Sequence, residues 1–101
     1  MDVEKTYSEN GCIETECPLL NGVRHGLFRR YYSNGAVFTE LSYVNGVREG
    51  MLREWSESGQ LLVLAHVAKG EFHGLFESWW NSGLPKEKGY YAHRKRQPGY
   101  T

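Results

Sequence analysis

Hydrophobic and polar positions recur along this chain with a period of 24 residues. Tyr31, Trp55 and Trp79 occupy one position of the period. Glycine occupies three others, in columns of three or four members: Gly22, Gly46 and Gly70; Gly26, Gly50 and Gly74; and Gly11, Gly35, Gly59 and Gly83. A fixed period of this kind is the sequence signature of a repeat architecture, so we expect a short array of similar units.

Each unit combines two strand patterns with two turn patterns. Residues 27–32 are rich in aromatic side chains and residues 36–44 in β-branched and aromatic ones, so both segments predict strands. Between them, Ser-Asn-Gly at residues 33–35 predicts a tight hairpin turn, because Asn and Gly tolerate positive φ. Residues 45–50 predict a longer turn into the next unit. No window carries a sustained 3.6-residue apolar period, so we expect no helix.

The pattern predicts an all-β protein, an elongated antiparallel meander of about seven strands built from 24-residue hairpin repeats. The single domain, residues 1–101, divides into a half repeat at 7–22, repeats at 22–46, 46–70 and 70–94, and an irregular tail at 94–101. The predicted strands are residues 12–20, 27–33, 36–44, 51–57, 60–68, 75–81 and 84–92. Pro85 donates no backbone hydrogen bond, so the last strand is predicted at the sheet edge. Because both faces carry apolar side chains, we expect the sheet to curl over one of them.

The composition is that of a folded domain, with a formal net charge of zero and 40% hydrophobic residues in 101. The chain has no apolar run of about 18 residues and no signal-peptide pattern, so we expect a cytoplasmic protein. Its two cysteines, Cys12 and Cys17, would lie about 16 Å apart on one extended strand, too far for a disulfide. They are predicted to be free thiols.

His25, Glu49 and His73 share one position of the repeat, which raises the hypothesis of a metal site. Two repeats span four strands, roughly 19 Å in a flat sheet, whereas zinc ligands lie about 2 Å from the ion. We therefore interpret these residues as turn residues and expect no metal. The chain also lacks a motif for a serine or cysteine nucleophile and a Gly-rich phosphate loop, so we expect no enzyme activity and no cofactor.

The repeated motif is Asn-Gly-x-x-x-Gly-Leu-aromatic, then Tyr or Trp, then Asn-Gly-x-Leu/Val, then Asn-Gly again. It resembles the MORN repeat, in particular the variant form found in YwqK-type antitoxin-like proteins and in arrays encoded by large DNA viruses of amoebae. The resemblance covers residues 7 to about 92. It implies a scaffolding or protein-interaction module, with membrane-lipid binding proposed for some members. Where such arrays accompany catalysis, another domain carries the chemistry.

The resemblance and the composition together predict a non-enzymatic module for protein–protein interaction, either antitoxin-like or a virus-encoded adaptor. The partner-binding residues are expected among the aromatic side chains, because Trp and Tyr dominate binding hot spots. These residues are Tyr31, Tyr32, Trp55, Trp79 and Trp80. The competing interpretation is that the same side chains pack within the curled sheet.

The alternative function is peripheral membrane-lipid binding through the basic C-terminal tail, with Arg94, Lys95 and Arg96 as lipid-binding residues. Three cations contribute only about 3 kcal/mol at an anionic surface. Nucleic-acid binding is not expected, because phosphate recognition needs a surplus of cations and this chain has none.

The two ends of the chain carry opposite charge. Residues 1–21 hold five acidic residues and one lysine, a net charge of −4, and residues 84–101 hold five basic residues and one glutamate, a net charge of +4. An open meander has an unpaired strand at each end, so head-to-tail self-association is one hypothesis. The other is that the edge charges prevent pairing and the protein is a monomer.

Overall fold

The computed structural model describes residues 2–92 and 95–96, which form one antiparallel β-sheet with no helix. The sheet has ten strands: β1 (Asp2–Tyr7), β2 (Ile13–Leu20), β3 (Val23–Arg24), β4 (Gly26–Tyr31), β5 (Val37–Val44), β6 (Val47–Trp55), β7 (Leu61–Ala68), β8 (Glu71–Trp79), β9 (Pro85–Ala92) and β10 (Lys95–Arg96). Their order is β1-β2-β4-β5-β6-β7-β8-β9-β10, and β3 pairs with β2. The predicted all-β meander is confirmed.

Each of the seven predicted strands is present, as β2 and β4 to β9, with ends shifted by up to four residues. β1 is an addition. Its sequence is mostly polar and precedes the first glycine of the array, so the pattern does not indicate a strand there. It nevertheless pairs along its whole length with β2, from Asp2 opposite Leu19 to Tyr7 opposite Ile13.

At the other end of the sheet, β10 pairs with the last residues of β9. Lys95 lies opposite Ala92, and Arg96 lies opposite Tyr91. The strand that begins at Pro85 is therefore not the outermost one, which corrects the expectation that proline would place it at the edge. Proline is tolerated here because it is the first residue of its strand.

The sequence predicted a tight turn at residues 33–35 and a longer turn at residues 45–50, and the structure has the tight turn at the second place and the longer one at the first. Asn45 and Gly46 form a two-residue turn with φ of 50° and 85°, and Val44 lies opposite Val47 across it. Positive φ at both residues is what a type I′ hairpin turn requires, and Asn-Gly is its preferred sequence. The longer turn predicted over residues 45–50 is therefore wrong, because β6 begins directly after Gly46. The same two-residue turn recurs at Asn21-Gly22 and at Lys69-Gly70.

The turn at Asn34-Gly35 is the longer one. Tyr32 donates its N–H to the carbonyl of Ala36 at 2.8 Å, and Gly35 donates to the carbonyl of Tyr32 at 2.9 Å, which closes a five-residue loop. In this loop only the glycine has positive φ, so Asn34 is not in the geometry of a primed turn. The same pair of hydrogen bonds recurs 24 residues apart, beginning at Ser8, Ser56 and Trp80.

One face of the sheet is more buried than the other. Residues directly opposite each other on neighbouring strands point to the same face. Phe28, Leu41, Leu52, Ala65 and Phe76 are opposite one another in turn across five strands, and we call the face that carries them the grooved face. The buried apolar side chains of the described residues are Cys17, Phe28, Leu41, Ala65 and Val67.

The described residues form a single curved layer, with Cα extents of 43 × 32 × 17 Å. No second layer covers either face within residues 2–92, so curvature of the sheet over the grooved face produces the burial there. Cys17 is 1% exposed, and burial raises the pKa of its thiol. Cys12 is exposed, and both cysteines are free, as predicted.

Candidate functional site

The grooved face holds an open groove of about 630 Å³ that crosses the sheet from β3 to β8. Its floor is apolar and includes Phe28, Leu41 and Leu52. These three residues come from three neighbouring strands, where the register places them directly opposite one another. The repeat thus builds the groove by presenting the same apolar position on successive strands.

Charged side chains line both long sides of the groove. Arg30 and Glu54 lie on the side of the five-residue loops, each two residues beyond the floor row on its strand. Arg24, Arg48 and Glu71 lie on the side of the type I′ turns. Each side carries both positive and negative side chains. The groove therefore offers charged contacts of defined direction without a strong net electrostatic field.

Arg24 closes one end of the groove. Its Nε donates to Glu4 Oε1 at 2.9 Å, and its Nη1 donates to Tyr43 Oη at 3.3 Å. The guanidinium carbon also lies 5.0 Å from the ring centroid of Phe28 and 5.3 Å from that of Tyr43, which are cation–π distances. These contacts hold the side chain in one place, so Arg24 forms a fixed wall of the groove.

Glu54 is a partly buried carboxylate in the lining of the groove. Burial raises the pKa of this side chain above its ordinary value, because a low-dielectric surrounding disfavours the charged form. The register places Thr39 on one side of it and Val63 on the other. Neither the Arg24–Glu4 nor the Arg29–Glu40 ion pair involves it. A cationic group in the groove would stabilise its ionised form.

The opposite face carries a row of alternating charge, which we call the charge ladder. In register order it consists of Lys5, Glu16, Arg29, Glu40, Arg53, Leu64, Glu77 and Lys88. Arg29 Nε donates to Glu40 Oε2 at 2.9 Å within it. Every charged residue of the ladder lies opposite a residue of opposite charge on a neighbouring strand. The face that carries the ladder, which we call the ladder face, therefore does not present a continuous row of cations to an anionic polymer.

Three of the five aromatic residues predicted to bind a partner lie on the ladder face. Tyr31, Trp55 and Trp79 are each two residues beyond a ladder position on the same strand, and we call them the aromatic row. All three are half-buried. The Tyr31 hydroxyl donates to a carboxylate oxygen of Glu16, and burial together with this bond raises the pKa of Tyr31.

The other two predicted residues, Tyr32 and Trp80, begin five-residue loops and are not part of the aromatic row. The Tyr32 ring lies 4.8 Å from that of Phe38, and its hydroxyl donates to the backbone carbonyl of Trp55 at 2.7 Å. Trp80 is 54% exposed, with Lys86 Nζ 4.7 Å from its ring centroid. The structure therefore divides the predicted site between one face and the loops at the end of the sheet.

The predicted lipid-binding residues fall largely outside what the structure describes. Arg94 lies outside the described residues. Lys95 and Arg96 form β10, of which the backbone alone is described. The basic tail stays a prediction from sequence.

The position shared by His25 and Glu49 supports the next turn of the array. His25 Nδ1 accepts a hydrogen bond from the N–H of Asn45 at 3.1 Å, and Glu49 Oε1 accepts one from the N–H of Lys69 at 3.0 Å. Asn45 and Lys69 are the first residues of successive type I′ turns. Within residues 2–92 and 95–96, no three His, Cys, Asp or Glu side chains are grouped to hold a metal ion.

The sequence pattern missed the groove, although it contained one signal for it. Phe28, Leu52 and Phe76 share a position of the repeat, and that column marks the grooved face. The pattern did not indicate that Leu41 lies directly between Phe28 and Leu52, because the turn at Asn45-Gly46, which leads from β5 into β6, was predicted too long. Nor did it indicate that Arg24 meets Glu4, 20 residues away.

Residues 24–45 match the model of a protein family described as MORN repeat variant. The matched segment includes β4 and β5 and ends at Asn45, so it covers about one unit of the array. It supports a MORN-repeat family and thus a repeat module, a kind that commonly mediates protein or membrane-lipid interaction and is typically non-enzymatic. No curated protein and no solved structure matches the chain significantly. Among the described residues, no helix is long and apolar enough to cross a membrane.

Proposed function

We propose that this protein is a non-catalytic repeat module that binds another protein, with the groove as its main contact surface. The observation that carries the proposal is the groove itself, about 630 Å³ in volume, apolar at its floor and open on a single-layer sheet. Segments of a partner chain dock into such grooves through a few apolar anchors.

The lining residues define the chemistry of the partner segment. Leu41 and Leu52 contact its apolar anchors, while Arg30 and Glu54 lie on one side of the floor with Thr39 between them. Two strand spacings separate Arg30 from Glu54, about 10 Å. A partner segment with an acidic and a basic group at this separation is held in one orientation, because the reversed segment brings like charges together.

The aromatic row is the second contact surface of the proposal, and Tyr32 and Trp80 extend it at the loops. Tyr31, Trp55 and Trp79 present large apolar area with polar edges, the kind of side chain that dominates interface energetics. At a finer level, the partner is a toxin if the module is antitoxin-like, and a host protein if it is a virus-encoded adaptor.

Site-specific photocrosslinking tests which face binds. A photoreactive phenylalanine is introduced at Thr39 in the groove, at Met51 on the ladder face, or at Ser33 in a loop, and each protein is irradiated in a lysate of the source organism. We expect one discrete partner to crosslink from Thr39, and unlabelled parent protein to compete with it. Crosslinking from Met51 alone would transfer the site to the aromatic row and contradict the groove.

Point variants then test the contacts. Arg30→Glu reverses an exposed charge beside the groove and should lower crosslinking from Thr39 by about tenfold or more, since a lost charge contact of this kind costs about 1.5–3 kcal/mol. Glu57→Ala, in a five-residue loop, is the matched control and should have no effect. An equal loss in both variants would contradict the assignment.

The same proteins address lipid binding through the basic tail. Sedimentation with anionic vesicles at low salt measures it directly, and replacement of Arg94, Lys95 and Arg96 by alanine is the matched change. If the module binds a protein and not the membrane, the parent protein should not sediment with the vesicles. Sedimentation that disappears in the alanine variant would make the membrane surface the partner instead.

A further inference from the structure

The floor of the groove offers a partner no backbone hydrogen bonds. Phe28, Leu41 and Leu52 lie on β4, β5 and β6, and each of these strands is paired with a neighbour on both sides. An extended segment on this floor would turn part of its own N–H and C=O groups toward apolar side chains, which costs free energy. An α-helix bonds these groups internally. The floor therefore favours a helical segment.

The width and length of the groove fit a helix. On β5, Thr39 and Tyr43 line the two sides, and Leu41 lies between them on the floor. Four residues of a strand span about 13 Å, and a helix with its side chains is about 10–12 Å across. From β4 to β8 the groove crosses four strand spacings, about 19 Å, which accommodates about 13 helical residues.

The spacing of the strands matches the turns of a helix. Floor residues on neighbouring strands are about 4.8 Å apart, and residues three or four positions apart on one side of a helix are separated by about 4.5–6 Å. Residues on one side of an extended segment recur at about 6.6 Å and fall out of step with the strands. A helix along the groove therefore presents one side chain to each strand of the floor.

Two charges without an ion-pair partner lie on the side of the five-residue loops. Arg30 and Glu54 form no ion pair within the described part of the chain, and Thr39 lies between them in the register. Their strands are two spacings apart, about 10 Å. Seven residues of a helix rise about 10.5 Å and complete almost two turns, so they return to nearly the same side. Opposite charges seven positions apart on a helix therefore reach both groups at once.

We propose that the partner segment is an amphipathic α-helix that lies along the groove, with an acidic residue against Arg30 and a basic residue seven positions away against Glu54. This inference rests on the proposed function, because it takes the groove as the contact surface, and it adds the conformation and charge pattern of the segment. Apolar side chains beside the two charges contact Leu41 and Leu52. Arg30, Glu54 and Ser78 share one position of the repeat, so this charge pair occurs at one place in the array and fixes where the helix binds.

Synthetic peptides test the charge pattern. The probe is a 16-residue peptide of alanine and leucine, with a stripe of leucines beside one glutamate and one lysine placed seven positions apart. The control peptide has the same composition, but its lysine is nine positions from the glutamate, on the opposite side of the helix. Fluorescence anisotropy measures the dissociation constants with the full chain in 20 mM salt. The control should bind about 3- to 10-fold more weakly, because one half-buried charge contact is lost.

Variants of the protein assign the lost contact. In Glu54→Gln the two peptides should bind equally, because the lysine of the probe has no carboxylate to contact. Arg30→Gln should weaken both peptides alike, since both carry the glutamate. Glu57→Ala, in a five-residue loop, is the control and should keep the full preference for the probe. The peptide comparison itself uses the parent protein, so it stands even where a variant fails to fold.

The bound conformation and position are measured directly. Carbon-13 chemical shifts of the labelled probe in the complex should show one continuous helix. The photoreactive phenylalanine at Thr39 should crosslink to the probe, and the one at Met51 should not. An extended bound probe, equal affinities of the two peptides for the parent, or a preference that survives in Glu54→Gln would overturn the proposal.

Failure of the helix and failure of the proposed function give different results. If a partner crosslinks from Thr39 in the lysate but the probe does not bind, the helical segment is wrong and the groove keeps its assigned function. If no partner crosslinks from Thr39 in the lysate, the proposed function is contradicted even where the probe binds.

Discussion

Gly46 shows how a single residue determines the geometry of a turn in the repeat. Its φ is 85°, and a Cβ at this position would lie 3.8 Å from Val23 Cβ, an ordinary contact. The cost of Gly46→Val is therefore that of the backbone, about 1–3 kcal/mol of unfolding free energy. Val47→Gly, the neighbouring change, should cost less, because Val47 is exposed and begins a strand. Urea unfolding measures both, and an unchanged midpoint for Gly46→Val would refute the turn assignment.

Two buried serines should respond to the same substitution in opposite ways. Ser78 is 5% exposed, and within the described residues its hydroxyl has no hydrogen-bond partner. Ser78→Ala removes an unsatisfied group and should be neutral or stabilising by up to about 1 kcal/mol. Ser56 Oγ accepts a hydrogen bond from the N–H of Gln60 at 3.1 Å, so Ser56→Ala should destabilise by about 0.5–1.5 kcal/mol. Thermal melts compare them, and a larger loss for Ser78→Ala would contradict the structure.

At the scale of the strand, the charge ladder predicts a graded response to charge reversal. Arg29→Glu places a carboxylate between Glu16 and Glu40 and should destabilise by about 1–2 kcal/mol. Arg53→Glu has one glutamate neighbour, Glu40, because Leu64 lies on its other side, and should cost about half as much. Both losses should shrink in 1 M salt. Equal costs for the two variants would show that the cross-strand neighbours do not act individually.

The elements themselves were largely predictable, and their geometry was less so. The glycine columns place turns and strands within a few residues, because a residue with positive φ must be glycine or asparagine at most such positions. The same argument could not separate the type I′ turn at Asn45-Gly46 from the five-residue loop around Asn34-Gly35, since both contain Asn-Gly. Hydrogen bonds, such as that from Tyr32 to Ala36, distinguish them.

Residues from several units of the array form the candidate site, so the sequence pattern located only part of it. The residues of the aromatic row were predicted because Trp and Tyr dominate binding hot spots, and all three share one position of the repeat. The groove depends on curvature and on residues from several units, including Arg24, Leu41 and Glu54. Glu54 has arginine and serine at its equivalent positions, Arg30 and Ser78, so no column of the repeat identifies it.

The groove also predicts how stability depends on pH. Because burial raises the pKa of Glu54, the native state releases this proton at a higher pH than the unfolded state. Its ionisation therefore destabilises the fold above the raised pKa and has no effect below the ordinary value of about 4. Glu54→Gln should be more stable than the parent at pH 8, by less than about 1 kcal/mol because the side chain is half-buried and screened.

Chemical unfolding at several pH values tests this prediction. The difference between Glu54→Gln and the parent should decrease as the pH falls from 8 to 4. A difference that grows toward low pH would mean that the native state stabilises the ionised form of Glu54, contrary to the effect of burial.

The meander has a consequence for how quickly the protein folds. Each long strand pairs with those that precede and follow it in the sequence, so residues paired across these strands are at most 17 positions apart in the chain. Closing a short loop costs little chain entropy, and proteins with low contact order fold quickly. In an array of this kind, folding can begin in any unit and spread to its neighbours. We therefore expect this all-β chain to fold faster than β-sandwiches of similar length, whose sheets join distant segments.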